Sequence, residues 1–268
     1  MTTFAQVLVD SLDTKWAEIN LLIAEAESKA NNIDLYNALC RSVSVLMVAQ
    51  FEAFMRDTAK AILDDINEFS SFSNAPSALK QTFCRSFLVE EADGKDSYGR
   101  LQRLISTFDG LDTKFTHEPF LVKNANDYGK NPSPSVIDKI TVKFGIPRFF
   151  SVIDGSDLDD VFSDTAPEIE KLKSRIKAHV TKGVKEYPYK LDSSTFNINV
   201  SALKTSPSSS KKPTIWTAFL DNVLDQRHGI AHGSISNNPN SVEEIRNGLA
   251  KLEILQLAIV LVVCENVI

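Results

Sequence analysis

Cysteine is scarce in this sequence and follows no pattern. The chain has three cysteines, Cys40, Cys84 and Cys264, which are odd in number, far apart and set among apolar residues. Neither a disulfide framework nor the paired spacing of a zinc site is present. We therefore predict three buried free thiols that pack as small hydrophobic side chains in the reducing cytoplasm.

Positive charge is also in short supply. The 268 residues include 29 Lys and Arg against 35 Asp and Glu, which gives a formal net charge of −6. A protein that binds nucleic acid non-specifically carries a basic excess, so this balance argues against that class. A local basic site on an otherwise acidic protein is still compatible with this charge balance.

Long hydrophobic runs are absent as well. The most apolar stretch, residues 252–264, is shorter than the roughly 20 residues of a membrane span, and it predicts a buried helix. The first 16 residues lack a basic segment followed by an apolar run, so they do not resemble a signal peptide. We expect a cytoplasmic protein with no membrane partner.

Glycine and proline are missing between Ile33 and Ser73, which predicts one long helix or two shorter helices end to end. Apolar residues at spacings of three and four predict a helix over residues 4–29. A helix is also expected at 166–183, where Pro167 stands in the first turn, and another over 214–227.

The last helix is predicted to begin at Ser241, because Ser241 and Glu244 have the spacing of a capping box. The middle of the chain is less regular. Short helices are predicted there at 77–90 and 96–108, and a loop at 123–135. Residues 194–201 alternate in a way that is typical of a short strand, and residues 204–213 form a low-complexity segment.

The resulting fold class is all-α. We expect one domain over residues 1–268, with core helices at about 1–70 and 214–268 and a partly irregular insert at about 75–212.

The strongest functional pattern is QRHGIAHGS, residues 226–234, which holds Arg227, His228 and His232. In a continuous helix, Arg227 and His232 lie about 140° apart and do not share a face. A helix end or bend near Gly229 would bring them closer, because glycine is a poor residue for a helix interior.

An arginine and a histidine in one cleft suit a definite chemistry. Arg227 would hold phosphate oxygens, and His232 would take the proton from a ribose 2′-OH that attacks its neighbouring phosphodiester, with no metal or cofactor. His228 would assist. The structural alternative is a helix C-terminus at which these cations lie near the last carbonyl groups.

Arg-His-x-x-x-His followed by glycine resembles the signature of the HEPN superfamily: an arginine, a polar residue, three to five further residues and a histidine. The flanking sequence IAHG, residues 230–233, is close to a form common in the family. An acidic residue on a long early helix is also usual, and Glu52 in QFEAFMRD matches it. Residues 130–147 are similar to the middle segment of the larger MAE and RiboL-PSP groups.

This resemblance implies a helical bundle that acts as an endoribonuclease, often a toxin in toxin–antitoxin or phage-defence systems. Two motifs would meet across a homodimer in a composite active site, with RNA as substrate and an antitoxin or defence protein as a further partner. Arg227 and His232 would be catalytic. His228 stands where asparagine is common, which leaves the acid and base roles of the two histidines open.

Other polar residues have two interpretations each. A basic cluster on the predicted helix at 166–183 could bind the RNA backbone or simply be a solvated face; its candidate RNA-binding members are Lys171, Lys173, Arg175 and Lys177, with Lys211 and Lys212 in the low-complexity segment. His117 and His179 are expected to be satisfied or surface histidines. Trp216 and Phe219 are expected in the core.

Two further classes remain open from the sequence. A non-catalytic HEPN module would bind RNA, a nucleotide or a partner protein through the same cleft. In a plain structural helical protein, Arg227 and His232 would point apart.

Overall fold

The computed structural model describes residues 1–88, 97–121, 132–199, 213–233 and 240–267. Within these ranges every regular element is a helix, so the predicted all-α class is confirmed. The α-helices are α1 (Phe4–Ser28), α2 (Ile33–Phe69), α3 (Ser77–Arg85), α4 (Ser97–Leu111), α5 (Pro134–Thr141), α6 (Phe149–Ile153), α7 (Ala166–Gly183), α8 (Ile215–Ala231) and α9 (Val242–Asn266). Short 3-10 helices are Val142–Phe144, Asp157–Phe162 and Ser193–Phe196.

Helices α1 and α2 form an antiparallel pair. With no glycine or proline to interrupt it, α2 runs unbroken for 37 residues, about 55 Å at 1.5 Å per residue. The start of α1 lies against the end of α2, where the backbone N–H of Phe4 donates to Asp65 at 2.7 Å. Midway along the pair, Lys15 and Asp57 form an ion pair at 2.7 Å.

The last helix occupies the centre of the bundle. α9 packs against α1, α2 and α7, and every residue from Ile254 to Cys264 is buried. Its one buried polar side chain in that stretch, Gln256, accepts a hydrogen bond from the Trp16 indole N–H at 2.9 Å. The buried helix predicted at 252–264 is therefore confirmed.

Within the described ranges, two helices, α2 and α9, are long and apolar enough to cross a membrane by length and composition alone. Both pack within the helical bundle, and 72% of the apolar window of α9 is buried there. The core helices of a helical protein have the same length and apolar composition. This finding by itself therefore favours neither a membrane span nor a buried core helix.

The middle of the chain packs onto the same hydrophobic core as the outer helices. α3 and α4 enclose phenylalanine rings, among them Phe72 and Phe83 with centroids 5.9 Å apart. α7 lies along α9 and also contacts α1. The predicted helices at 77–90 and 96–108 correspond to α3 and α4, although α3 already ends at Arg85.

The strand predicted over residues 194–201 is wrong. The 3-10 helix Ser193–Phe196 occupies its first half, and Asn197 follows with a φ of 53° in the left-handed region. The Asp192 carboxylate accepts from the Ser194 N–H at 3.0 Å, and such a local bond competes with extended backbone. Of the predicted loop and low-complexity segments, residues 122–131 and 200–212 lie outside the described residues.

Candidate active site at the end of the eighth helix

The Arg-His motif, which we define as Arg227, His228 and His232, lies in the last turn of α8 and at its cap. The helix begins at Thr214, whose hydroxyl accepts from the Thr217 N–H at 3.2 Å. It is anchored in the core by a buried stripe of side chains, Trp216, Leu220 and Leu224. This stripe fixes which faces of the last turn meet the core and which meet solvent.

The helix does not end at Gly229 but continues for two more residues, which corrects the expectation of a helix end there. Gly229 is buried inside the helix, and α8 continues to Ala231 with His232 as its cap. The end comes at Gly233, which has a φ of 68° and donates its N–H to the Ile230 carbonyl at 3.2 Å. A left-handed glycine directly after the cap is a common helix stop.

Because the helix persists, Arg227 and His232 of one chain do not share a face. Five residues of helix separate them by about 140° around the axis. Arg227 is half-buried and continues the stripe of Leu220 and Leu224 at a spacing of seven and three residues. His228 and His232 are exposed and contact each other, with ring centroids 4.2 Å apart.

The structure thus brings the two histidines together and leaves the arginine on a neighbouring face. Among the described residues, no carboxylate forms an ion pair with Arg227, His228 or His232. The guanidinium therefore keeps its hydrogen-bonding capacity for an anion such as phosphate. Two adjacent imidazoles can supply one proton acceptor and one donor.

Glu52, the acidic residue expected to support the site, is half-buried on α2. Its carboxylate accepts from Arg56 of the same helix at 3.0 Å. No contact among the described residues joins Glu52 to the Arg-His motif, so its supporting role stays a prediction.

The basic residues of α7 are mostly paired with acids. Lys173 contacts Glu253 at 2.9 Å, Arg175 contacts Asp157 at 2.8 Å, and Lys177 pairs with Asp13. Lys171 is exposed. Since pairing already offsets three of the four charges, the face attracts phosphate less than the sequence suggests.

The α7 cluster also lies away from α8. Glu253, which pairs with Lys173 of this cluster, is nine residues beyond Glu244 on α9. The two glutamates therefore lie about 180° apart around α9, and Glu244 borders the space beside α8. The other proposed RNA contacts, Lys211 and Lys212, lie outside the described residues.

The remaining histidines and aromatic residues have structural partners, as expected. His117 contacts Asp64 at 2.7 Å, and His179 accepts from the Asp192 N–H at 3.3 Å. Trp216 is fully buried, as expected, whereas Phe219 is only half-buried and packs against Trp216 with centroids 6.4 Å apart. In the described ranges, no three His, Cys, Asp or Glu side chains are grouped to hold a metal ion.

All three cysteines are free and buried, as predicted. Burial raises the pKa of the Cys84 thiol to about 11, with a smaller contribution from Asp109. Burial likewise raises the pKa of Cys264 well above its ordinary value. The raised pKa values of Cys84 and Cys264 favour the protonated thiol at neutral pH, which is the less nucleophilic form.

A cleft of about 280 Å³ opens between α8 and α9 beside the motif. We call it the carboxamide cleft, because four of its lining side chains are amides: Asn222, Gln226, Asn240 and Asn247. Phe219 and Lys251 line it too, and α2 borders it with Ser44 and Met47. Gln226 directly precedes Arg227, so the cleft and the motif adjoin.

Sequence reasoning missed this cleft. The available pattern was Phe219, Asn222 and Gln226 at spacings of three and four, which places them on one face of α8. That face lies beside the apolar stripe of the same helix, and three polar or aromatic residues there are also what an ordinary solvent-facing surface shows. Only the separation of α8 from α9 turns the face into a cleft.

A family model described as RiboL-PSP-HEPN matches residues 10–265 of the chain. The match covers α8, α9, most of α1 and the whole middle segment. No curated protein and no solved structure gives a significant match to the chain.

Proposed function

This chain belongs to the RiboL-PSP-HEPN family, and on that premise we propose that it is a metal-independent endoribonuclease. The observation that carries the proposal is the Arg-His motif itself, which retains both Arg227 and His232 in the last turn and cap of α8. Both side chains can reach solvent and have no carboxylate partner among the described residues.

Each residue has a chemical role in the proposed reaction. His232 takes the proton from a ribose 2′-OH as its oxygen attacks the adjacent phosphorus, and the bond to the 5′-oxygen breaks. Arg227 binds the non-bridging oxygens as charge develops on them. His228, 4.2 Å from His232 between ring centroids, protonates the leaving oxygen or orients its neighbour. The products carry 2′,3′-cyclic phosphate and 5′-hydroxyl ends.

Two chains complete the active site in this proposal. Since Arg227 and His232 diverge by about 140° on one helix, a homodimer that apposes the ends of two α8 helices lets Arg227 work with the partner's His232. A symmetric dimer would present such pairs on both sides of its two-fold axis.

The biological setting that we propose is a cytoplasmic toxin of a toxin–antitoxin or phage-defence system. An enzyme that cuts cellular RNA must be restrained by an antitoxin or a defence-system partner. The acidic body, with its net charge of −6, suits a nuclease that binds RNA at a local site rather than along its whole surface.

The test is cleavage of end-labelled single-stranded RNA by the purified chain in the presence of EDTA. The Arg227→Ala and His232→Ala variants should each lower the rate by at least about a hundredfold, because each removes a transition-state contact or the general base. Mass spectrometry of the fragments should find cyclic phosphate ends. In cells, either substitution should relieve growth arrest.

The matched control is His179→Ala, which removes a histidine on α7 that lies far from α8 in the chain. It should cut RNA at the wild-type rate. Thermal unfolding of all variants separates lost chemistry from lost folding. Wild-type cleavage by either motif variant would refute the mechanism.

A second candidate is a non-catalytic module that binds RNA, a nucleotide or a partner protein. The divergence of Arg227 and His232 within one chain favours it, because a monomer would then present an anion site without a positioned base. Such a module would retain RNA in a filter-binding assay and leave it uncut at every protein concentration.

A further inference from the structure

The carboxamide cleft holds a preorganised pair of amides next to the motif. Asn240 Nδ2 donates to Gln226 Oε1 at 2.5 Å. This bond uses a donor of Asn240 and the acceptor of Gln226. The other two amide atoms, Gln226 Nε2 and Asn240 Oδ1, then present one donor and one acceptor side by side. An opposite assignment of nitrogen and oxygen would also leave one donor and one acceptor.

A neighbouring donor and acceptor on planar groups match the hydrogen-bonding edge of a nucleobase. Proteins that read RNA sequence bind unpaired bases in this way and pack aromatic rings against them. Asn222 and Asn247 add further amides, and Phe219 supplies an aromatic surface. A cleft of about 280 Å³ is at the small end of ligand sites, which suits one nucleotide.

The opposite end of the cleft carries a positive charge without a partner acid. Lys251 Nζ lies 4.9 Å from the ring centroid of Phe162 and 5.6 Å from that of Phe219. No carboxylate forms an ion pair with it in the part of the chain that the structure describes. Burial lowers the pKa of Lys251, and a bound anion would offset that desolvation.

Glu244 is the one carboxylate among the described residues of the cleft wall, and it is already hydrogen-bonded. Glu244 accepts from the backbone N–H and the hydroxyl of Ser241 at 2.6 and 3.0 Å, which holds it at the start of α9. The amide end and the lysine end are separated by the seven residues from Phe219 to Gln226, about 10 Å along α8. That length fits the span from a base to its phosphate.

We propose that the carboxamide cleft binds one unpaired nucleotide of the RNA substrate, with its base at Gln226 and Asn240 and its phosphate at Lys251. This inference rests on the proposed function, and it makes the cleft the determinant of which base flanks the cleaved bond. Because Gln226 is joined to Arg227, the seated nucleotide lies beside the reacting phosphate.

The test is calorimetric titration of the full chain with each nucleoside 5′-monophosphate and the matching nucleoside. At least one nucleotide should bind saturably, and its nucleoside about tenfold more weakly, because a charge-assisted contact to phosphate is lost. Lys251→Gln should reduce nucleotide binding to the nucleoside level, whereas Lys251→Arg should retain it. Asn240→Ala should weaken both ligands and reduce the preference among bases.

Lys60→Gln is the matched control, since it removes an exposed lysine on α2 and should change neither affinity. Asn222→Ala, at an exposed position, serves as a second amide variant if Asn240→Ala lowers the melting temperature. The RNA fragments of each variant are sequenced in parallel, and Asn240→Ala should relax the base preference at the cleavage site.

The results separate this inference from the proposed nuclease. Absence of saturable binding by any of the four nucleotides at millimolar concentration overturns the cleft proposal, as does wild-type affinity in both Lys251→Gln and Asn240→Ala. A chain that binds nucleotides in the cleft but leaves RNA uncut overturns the nuclease and supports the cleft as a nucleotide site.

Discussion

Asp65 is a fully buried carboxylate that joins three distant parts of the chain. Its oxygens accept from the backbone N–H groups of Phe4 and Ala5 at 2.7 and 2.9 Å and from the Tyr189 hydroxyl at 2.7 Å. It thereby satisfies the first turn of α1 from the end of α2. Burial raises the pKa of Asp65, and the hydrogen bond from Tyr189 and then those from the backbone oppose that rise.

The Asp65→Asn variant should lose about 1–3 kcal/mol of unfolding free energy, because its amide nitrogen faces a donor that is left unpaired. The raised pKa means that the folded chain holds this proton more tightly than the unfolded chain does. The contribution of Asp65 is therefore largest below about pH 4 and declines as the pH rises through the raised value. Urea unfolding of both chains across this range should show their difference narrowing with pH.

Local hydrogen bonds were predictable where the partners are close in sequence. The capping pair Ser241 and Glu244 is three residues apart, and both of its bonds form, whereas the role of the Arg-His motif stays a prediction. Asp65 gave no such indication, because its partners are 60 to 124 residues away along the chain. Long-range hydrogen bonds depend on how helices pack, which no local pattern encodes.

The first turn of α9 is held both by a local cap and by a contact with another helix. The Ser241 hydroxyl accepts from the Glu244 N–H at 3.2 Å, and the Glu244 carboxylate accepts from the Ser241 N–H at 2.6 Å. This reciprocal pair satisfies donors that the first turn leaves free. The Tyr36 hydroxyl accepts from the Val242 N–H at 3.0 Å, which ties the same turn to α2.

The Ser241→Ala variant should be destabilised by about 1 kcal/mol through loss of this cap. Differential scanning calorimetry should show a melting temperature lower by a few degrees. Ser174→Ala is the control, because Ser174 is exposed in the interior of α7 and alanine favours a helix there. Equal melting temperatures for wild type and Ser241→Ala would show that the cap adds nothing.

Helices were predictable from the sequence to the extent that their caps and periodicity are local. The bounds of α1 and α7 and the start of α9 fall within a residue or so of their predicted positions. At residues 194–201, alternation of Phe196 and Ile198 indicated a strand, but the Asp192 carboxylate binds the local backbone, and the described part of the chain contains no strand that could pair with this segment. The carboxamide cleft was not predictable, since it is the space between two helices.

At the scale of the whole molecule, opposite charges join helices that are far apart in the chain. Arg246 of α9 donates to both carboxylate oxygens of Glu27 at the end of α1, at 3.1 and 2.7 Å. This contact holds the pKa of Glu27 below its usual range. The exposed end of α8 differs from these flanks, because its Arg and His side chains have no acidic partner among the residues that the structure describes.

Mixing the Arg227→Ala and His232→Ala chains tests the proposed two-chain site. Each variant alone should be inactive, and the mixture should recover cleavage, because about half of the dimers then combine one intact Arg227 with one intact His232. The rate of end-labelled RNA cleavage is measured after unfolding and refolding the two chains together. Analytical ultracentrifugation checks that dimers form.

If the mixture forms dimers but is as inactive as its components, then Arg227 and His232 must act together within one chain. A mixture of Arg227→Ala with wild type serves as the reference for the mixing procedure. Its activity should fall in proportion to the variant fraction in either arrangement, because every chain keeps His232 and each site needs one intact Arg227.

The central position of α9 has a consequence for synthesis. A ribosome makes residues 242–266 after all the helices that they hold together, so α1, α2 and α7 emerge before the helix that their apolar faces surround. A chain whose translation stops before Val242 contains the whole Arg-His motif and lacks the centre of its core. Synthesis of the Arg-His motif and assembly of a stable fold are thus separated in time, and translation that stops before Val242 yields no folded protein.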